Sequence, residues 1–132
     1  MIVEPTLLAP AMRMETIVAA LKTVRLLKAG SSEDDICQEI ALALARAAIP
    51  YRREFKLSAR SRVDFWVDGI VIEVKKERPP RVALLQQVAR YASVAPVLGV
   101  IVVMERSVPL PQHLHDKPVA CVSLNASWGI AL

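Results

Sequence analysis

Apolar residues recur at helical spacing in two stretches near the start of the chain. Between residues 11 and 28 they fall every third or fourth position, which predicts an amphipathic helix ending near Gly30. A second helix is predicted over 31–48, because a serine cap followed by three acids suits a first turn, and Pro50 ends it. Its expected core-facing positions are Ile36, Ile40, Ala43, Leu44 and Ala47.

After Pro50 the hydrophobic period shortens to two, which is typical of strands. A basic strand is predicted over 51–57 and a second strand over 62–68. Asp68-Gly69 predicts a tight turn, so a third strand over 70–75 should pair antiparallel with the second. Alternation along the second strand predicts two faces, with Val63, Phe65 and Val67 on one and Arg62, Asp64 and Trp66 on the other.

The rest of the chain adds one helix and two strands to the prediction. Two prolines precede a helix over 81–94, and the apolar run over 99–104 has the composition of a buried strand. A proline-rich loop over 106–118 leads to a short last strand over 119–124. The predicted order is α-α-β-β-β-α-β-β, which indicates an α/β fold.

Composition narrows the class of protein without naming a function. The chain has 132 residues, of which 54% are hydrophobic, enough for one domain with a substantial core. Its net charge of +4 is compatible with a polyanionic partner. Cys37 and Cys121 form no disulfide framework, and the first residues lack a signal-peptide pattern, so we expect a cytoplasmic protein. The longest apolar stretch, 94–104, is too short to span a bilayer, and no membrane association is expected.

Three charged residues on the second and third strands suggest chemistry. Asp64 should lie across the hairpin from Glu73 and Lys75, which are two residues apart and therefore share a face. Two carboxylates suit Mg²⁺, which keeps several waters and tolerates few protein ligands. A bound metal polarises a phosphate and activates water, and a lysine beside it can orient that water or neutralise developing charge.

The run R-V-D-F-W-V-D-G-I-V-I-E-V-K, residues 62–75, resembles the signature of the PD-(D/E)XK nuclease superfamily. Val63-Asp64 stands where the family name has Pro-Asp, a common departure. Glu39 lies on the preceding helix, where many members carry a third acidic ligand. Gln87 and Tyr91 form Q-x-x-x-Y on one face of the following helix, similar to the RecB-like and Holliday-junction-resolvase-like branches.

The resemblance implies a restriction-endonuclease-like αβββαβ core, a mixed central sheet flanked by helices. In a single domain spanning 1–132, that core would occupy 31–105. An irregular arm and an extra helix would precede it over 1–30, and a loop and short strand would follow over 106–132. The helix over 11–28 lies outside the resemblance, and no role follows for it.

The implied activity is Mg²⁺-dependent hydrolysis of DNA phosphodiesters, with Mn²⁺ as the alternative metal. The implied metal ligands are Glu39, Asp64 and Glu73. The implied catalytic set is Asp64, Glu73, Lys75, Gln87 and Tyr91. Basic residues near the first hairpin and after the third strand are the expected contacts to nucleic acid: Arg52, Arg53, Lys56, Arg62 and Lys76.

Several alternatives stay open at this level. The same fold would also suit a catalytically weak nucleic-acid-binding module, or a subunit of a homodimer or larger assembly. One alternative to the metal site is that Glu73 and Lys75 form an ordinary surface pair on a solvated strand. For Glu54 there are two alternatives: its side chain reaches the site from the first strand, or it forms a surface salt bridge. Trp66 would flank the site or pack under the third helix.

Overall fold

The computed structural model describes residues 9–24 and 31–124. The helices are α1 (Pro10–Leu21), α2 (Glu33–Arg46) and α3 (Arg81–Ala92). The strands are β1 (Arg52–Ser58), β2 (Ser61–Val67), β3 (Ile70–Lys75), β4 (Gly99–Met104), β5 (His113–Leu114) and β6 (Lys117–Ser123). Within these ranges the protein is an α/β fold with three helices and one mixed six-stranded sheet.

The sheet has the order β1-β2-β3-β4-β6-β5. β1, β2 and β3 form an antiparallel meander. β4 pairs parallel with β3, and β6 pairs parallel with β4. The β3–β4 connection contains α3, as is usual for a crossover between parallel strands. β5 is a two-residue edge strand within the predicted loop over 106–118, too short for its hydrophobic period to be visible in the sequence.

Helices cover the sheet on both faces. One apolar cluster joins α1 and α2 to one face, through buried residues such as Ile17, Ile40 and Ile72. A second cluster joins α3 to the other face, through Val88 and Val102 among others. β4 is buried along its whole length, so its uninterrupted apolar run is explained by helices above and below.

The first two helices differ from their prediction at the ends. α1 ends at Leu21 and not at 28, and the predicted stop at Gly30 lies outside the described residues. α2 begins with a capping box, in which Ser32 Oγ accepts from the Asp35 amide and the Asp35 carboxylate accepts from the Ser32 amide. Ala47 was expected in the core but is exposed, because α2 ends at Arg46.

The turn between β2 and β3 is the predicted tight hairpin. Asp68 and Gly69 both have positive φ, 50° and 95°, the combination that matches the twist of a two-residue hairpin. Gly69 also needs the absence of a side chain, since a Cβ there would lie 2.7 Å from Leu98 Cδ1. This turn fixes which residues of β2 and β3 stand beside each other.

Alternation along β2 breaks at Asp64, and here the prediction from the sequence was wrong. Val63 packs in the α3-side cluster, whereas Phe65 and Val67 pack in the cluster under α1 and α2. Trp66 packs against the α3 side. The strand therefore changes face at Asp64. On the neighbouring strand Glu54, between the partners of Phe65 and Val63, has a positive φ of 49°. The backbone is thus irregular at this level of the β1–β2 pair, although the register of the pairing does not shift there.

Candidate active site

The regular pairing of β2 with β3 stops where the candidate residues begin. Phe65 pairs with Ile72, but the pairing does not continue to Asp64 and Glu73. Side chains replace it: the Asp64 amide donates to Glu73 Oε1 over 3.3 Å, and the Val74 amide donates to Asp64 Oδ2 over 2.7 Å. The two carboxyl groups are thereby held beside each other between the strands.

Glu73 is a buried acid held from α3. Only 6% of the surface of Glu73 is exposed to solvent. Tyr91 Oη donates to Glu73 Oε2 over 2.7 Å, Gln87 Nε2 donates to the same oxygen over 3.0 Å, and Gln87 Nε2 also donates to Tyr91 Oη over 2.9 Å. Gln87 and Tyr91 share one helical face because they are four residues apart. These contacts are inconsistent with an ordinary surface pair of Glu73 and Lys75.

Lys75 stands at the solvent side of this cluster. Its Nζ lies 3.9 Å from Glu73 Oε2, and 27% of its side chain is exposed, against 8% for Glu73. Residues 73 and 75 share the α3 face of β3, since both alternate with Ile72 and Val74 of the opposite cluster. A partly exposed cation beside buried Glu73 and half-buried Asp64 can reach an anionic group that approaches from solvent.

The surroundings of Glu73 shift its proton equilibrium. Burial, followed by hydrogen bonding to and repulsion from Asp64, raises the pKa of Glu73 to about 7, against the lowering effects of Tyr91 and Lys75. Burial and the bond to Glu73 raise the pKa of Tyr91 above its usual value, so its hydroxyl stays a donor. Without a metal, a proton on Glu73 relieves its repulsion from Asp64.

Asp64 and Glu73 are the residues that could hold a divalent metal ion. A cation bound between them would displace the proton from Glu73, and two carboxylates leave room for the several waters that Mg²⁺ retains. Within 9–24 and 31–124 no cluster of three or more His, Cys, Asp or Glu side chains has metal-binding geometry. Glu39 is half-buried on α2 and makes no hydrogen bond or ion pair with Asp64 or Glu73. Its part as a third ligand stays a prediction.

Cys37 lies on α2, close enough to Asp64 for the two to interact electrostatically. Burial first, and the Asp64 charge second, raise the pKa of the Cys37 thiol to about 12. The thiol is 5% exposed and packs in the core between α2 and the sheet, as a small apolar side chain would.

The predicted basic contacts do not form one patch. Arg52 pairs with Trp66 on the β1–β2 ribbon, whereas Arg53 lies over the Phe65 ring with its guanidinium carbon 5.1 Å from the ring centre. Lys56 and Arg62 face each other across the same ribbon, and both are exposed. Since Phe55 and Val63 pack on the α3 side, alternation places these two on the opposite face.

A small polar cavity follows Lys75, beyond the carboxyl ends of β3 and β4. Its volume is about 310 Å³, and it is lined by Lys76, Glu77, Arg78, Glu105 and Arg106. Arg106 was not identified from the sequence. The available signal was that 99–104 reads as a buried strand, since carboxyl ends of adjacent parallel strands meet at one edge. Glu54 is exposed and forms no ion pair with the site.

Comparison with known proteins adds no identification: no family model, curated protein or solved structure matches this chain. Among the residues described, none of the helices has the length and apolar character needed to cross a membrane.

Proposed function

We propose that this protein is a metal-dependent nuclease of the PD-(D/E)XK type that hydrolyses DNA phosphodiesters. The observation that carries the proposal is the convergence of Asp64 and Glu73 where the β2–β3 pairing stops, with Lys75 beside them. The succession α2-β1-β2-β3-α3-β4 supports a restriction-endonuclease-like core, since it is the αβββαβ order of that fold. The bonds from Gln87 and Tyr91 to Glu73 support the same assignment.

In this proposal each side chain has a distinct task. Asp64 and Glu73 would hold Mg²⁺, or Mn²⁺, and the metal would supply polarisation of the scissile phosphate and activation of water. Lys75 stabilises the negative charge that grows on the attacked phosphate. Gln87 and Tyr91 fix the orientation of Glu73, as hydrogen-bond partners behind a metal ligand commonly do. Arg52, Arg53, Lys56, Arg62 and Lys76 contribute phosphate contacts outside the site.

A cleavage panel tests the proposal directly. Single-stranded, duplex, flapped and four-way DNA are incubated with wild type, Asp64→Asn and Glu73→Gln, with and without Mg²⁺ or Mn²⁺. We expect metal-dependent cleavage by wild type and a loss of at least about 10²-fold in both variants. Glu15→Gln is the matched control, because Glu15 is an exposed acid on α1. Undiminished cleavage by both variants would contradict the assignment, and DNA binding without cleavage of any substrate would favour the binding module.

A further inference from the structure

A large groove lies at the hairpin end of β2, away from Lys75. Its volume is about 890 Å³, which is within the usual range for ligand sites, roughly 300–1,000 Å³. Its lining is mainly apolar and includes Tyr51, Phe55 and Trp66 together with the arginines Arg13 and Arg52. None of the residues in the candidate active site lines it.

The aromatic part of the groove is organised for stacking. The rings of Phe55 and Trp66 lie parallel, with centroids 4.7 Å apart and 16° between their planes. Both side chains are half-buried and both line the groove, so part of the stacked pair is exposed to a ligand there. A flat apolar platform of this kind accepts any base, because every base has a π-face.

The charges at the groove favour the binding of a negatively charged nucleic-acid strand. Arg13 donates from Nη1 to the backbone oxygen of Asp68 over 2.5 Å, which fixes its guanidinium at the rim. Arg52 is exposed and stands opposite Trp66 on the β1–β2 ribbon. Asp68 is the single acid of the lining against these two arginines. Guanidinium groups beside aromatic rings suit phosphates attached to stacked bases.

The groove and the candidate site lie near each other along β2, because Trp66 lines the groove. Trp66 follows Asp64 by two residues, which in a strand is about 6.6 Å. It pairs with Val71, which stands two residues before Glu73 on β3. Trp66 and Val71 both pack on the α3 side, the face that carries Glu73 and Lys75. A DNA strand with one base stacked on Trp66 would therefore bring a neighbouring phosphate toward Asp64 and Glu73.

From this geometry we infer that the groove binds unpaired nucleotides by stacking a base on Trp66, and so selects single-stranded or unpaired DNA for the site. The cleavage of the bound DNA strand rests on the proposed nuclease function, whereas its binding in the groove does not. Paired bases inside a duplex are stacked on each other and present no free face to Trp66, whereas an unpaired base does.

Binding in metal-free buffer tests the inference without cleavage. The sequence has two tryptophans, so Trp128→Phe leaves Trp66 as the sole indole reporter. We expect a mixed-sequence single strand to quench Trp66 fluorescence at saturation, and its blunt duplex to quench it several-fold less. Trp66→Ala, measured by anisotropy of a labelled strand, should lose about tenfold or more in single-strand affinity, the effect of removing one stacking platform, while duplex affinity stays within about twofold.

Conservative variants keep the test valid if Trp66→Ala is poorly folded. Trp66→Phe retains a ring and should bind single strands within about threefold of wild type. Arg52→Gln should weaken single-strand binding more than Arg60→Gln, since Arg60 is also an exposed arginine but does not line the groove. Equal quenching by duplex and single strand, or unchanged single-strand affinity in folded Trp66→Ala, would overturn the inference.

The two proposals fail separately. If Trp66 variants bind normally while Asp64→Asn abolishes Mg²⁺-dependent cleavage, the groove assignment is wrong and the nuclease assignment stands. If Trp66 binds single strands but no substrate is cleaved with Mg²⁺ or Mn²⁺, the binding assignment stands and the nuclease assignment is wrong.

Discussion

Glu73 combines burial, a neighbouring acid and three polar contacts to one of its oxygens. Its Oε2 atom accepts hydrogen bonds from Tyr91 and Gln87 and lies 3.9 Å from Lys75 Nζ. Its Oε1 atom accepts a hydrogen bond from the Asp64 amide. This arrangement keeps a carboxyl group in the core but raises its pKa to about 7. A residue with these properties should leave a measurable trace in the behaviour of the metal-free protein.

We predict that metal-free wild type loses stability as the pH rises from about 5 to about 8. The folded pKa of Glu73, about 7, lies above its ordinary value of 4.5, so the protonated form is favoured in the folded state. This contribution is complete below 4.5 and is lost as the pH rises through about 7. The glutamine side chain of Glu73→Gln cannot ionise, so this variant should lack the pH-dependent contribution of Glu73 to stability.

Urea unfolding at the two pH values measures the effect. The free energy of unfolding of wild type should fall relative to that of Glu73→Gln by about 1–3 kcal/mol over this interval. Glu15→Gln, an exposed control, should follow wild type. Parallel pH profiles for wild type and Glu73→Gln would mean that Glu73 ionises normally in the folded protein.

Lys75→Met should separate catalysis from metal binding. The substitution keeps an unbranched stem and removes the charge that lies 3.9 Å from Glu73 Oε2. Single-turnover cleavage should fall by about 10²–10³-fold, because one preorganised charge at the reacting phosphate is lost. Mg²⁺ affinity by calorimetry should stay within a few-fold of wild type or tighten, since a nearby cation is gone.

Lys76→Met is the control for Lys75→Met. It removes the same charge from the next residue, a half-buried lysine that lines the cavity beyond β3. DNA affinity should weaken there while single-turnover cleavage at saturating DNA changes little. A fall in Mg²⁺ affinity parallel to activity in Lys75→Met would give Lys75 a role in metal binding instead.

Tyr91→Phe should move the acidic limb of the pH–activity profile upward. The Tyr91 hydroxyl lowers the pKa of Glu73 by donating to Oε2, so its removal raises that pKa further. A metal ligand must be deprotonated, and a higher pH is then needed for the same metal occupancy. Cleavage rates measured from pH about 5 to 9 at fixed Mg²⁺ report the shift, with Tyr51→Phe as the control. An unmoved acidic limb would show that the hydroxyl does not tune Glu73.

At the scale of elements, the β2–β3 hairpin sets the geometry of the site. Its turn holds Asp68 and Gly69 at positive φ and brings Phe65 opposite Ile72. The next position along each strand is Asp64 and Glu73, where backbone pairing gives way to side-chain bonds. A slip of one residue would send one of the two acids to the other face of the sheet.

Gly69→Ala should therefore destabilise the protein by about 1–3 kcal/mol. A side chain at φ 95° is strained, and its Cβ would lie 2.7 Å from Leu98 Cδ1. Asp68→Asn is the matched control in the same turn, since asparagine tolerates the positive φ of 50° at position 68. Denaturant midpoints compare the two variants. Equal stability of Gly69→Ala and wild type would mean that the turn relaxes without cost.

At the scale of the whole molecule, like charges are held close on the exposed ribbon. Lys56 and Arg62 are direct partners across β1 and β2, an arrangement that is unfavourable in the absence of an anion. The net charge of +4 is thus partly concentrated at places that polyanion binding would stabilise. Charge reversal at one partner should affect folding and binding in opposite directions.

Lys56→Glu should raise stability by about 0.2–1 kcal/mol, because it turns a repulsive cross-strand pair into an attractive one. The same change should weaken DNA binding and reduce the slope of log K against log salt by about 0.7–0.9, the effect of one lost phosphate contact. Titrations at several salt concentrations measure the slope. Arg46→Glu, at the end of α2, is the control and should leave it unchanged. An unchanged slope in Lys56→Glu would exclude this face from backbone contact.

Local chemistry was enough to predict most of the elements and the members of the candidate site. The cap at Ser32, the Asp68-Gly69 turn and the apolar run of β4 each act over a few residues, so their patterns are legible in the sequence. Because successive side chains of a strand point to opposite faces, the two-residue spacing of Glu73 and Lys75 was likewise sufficient to place them on one face of β3.

Only the tertiary structure decided how these parts meet. The change of face at Asp64 lies beside the positive φ of Glu54 on the neighbouring strand, and no local period in the sequence encodes either feature. The burial of Glu73 depends on where α3 packs, and that alone brings Tyr91 and Gln87 onto its carboxyl group. The sequence by itself thus determined which groups are available. Their protonation, their partners and the groove beside Trp66 follow from long-range packing, which places residues distant in the chain within bonding distance.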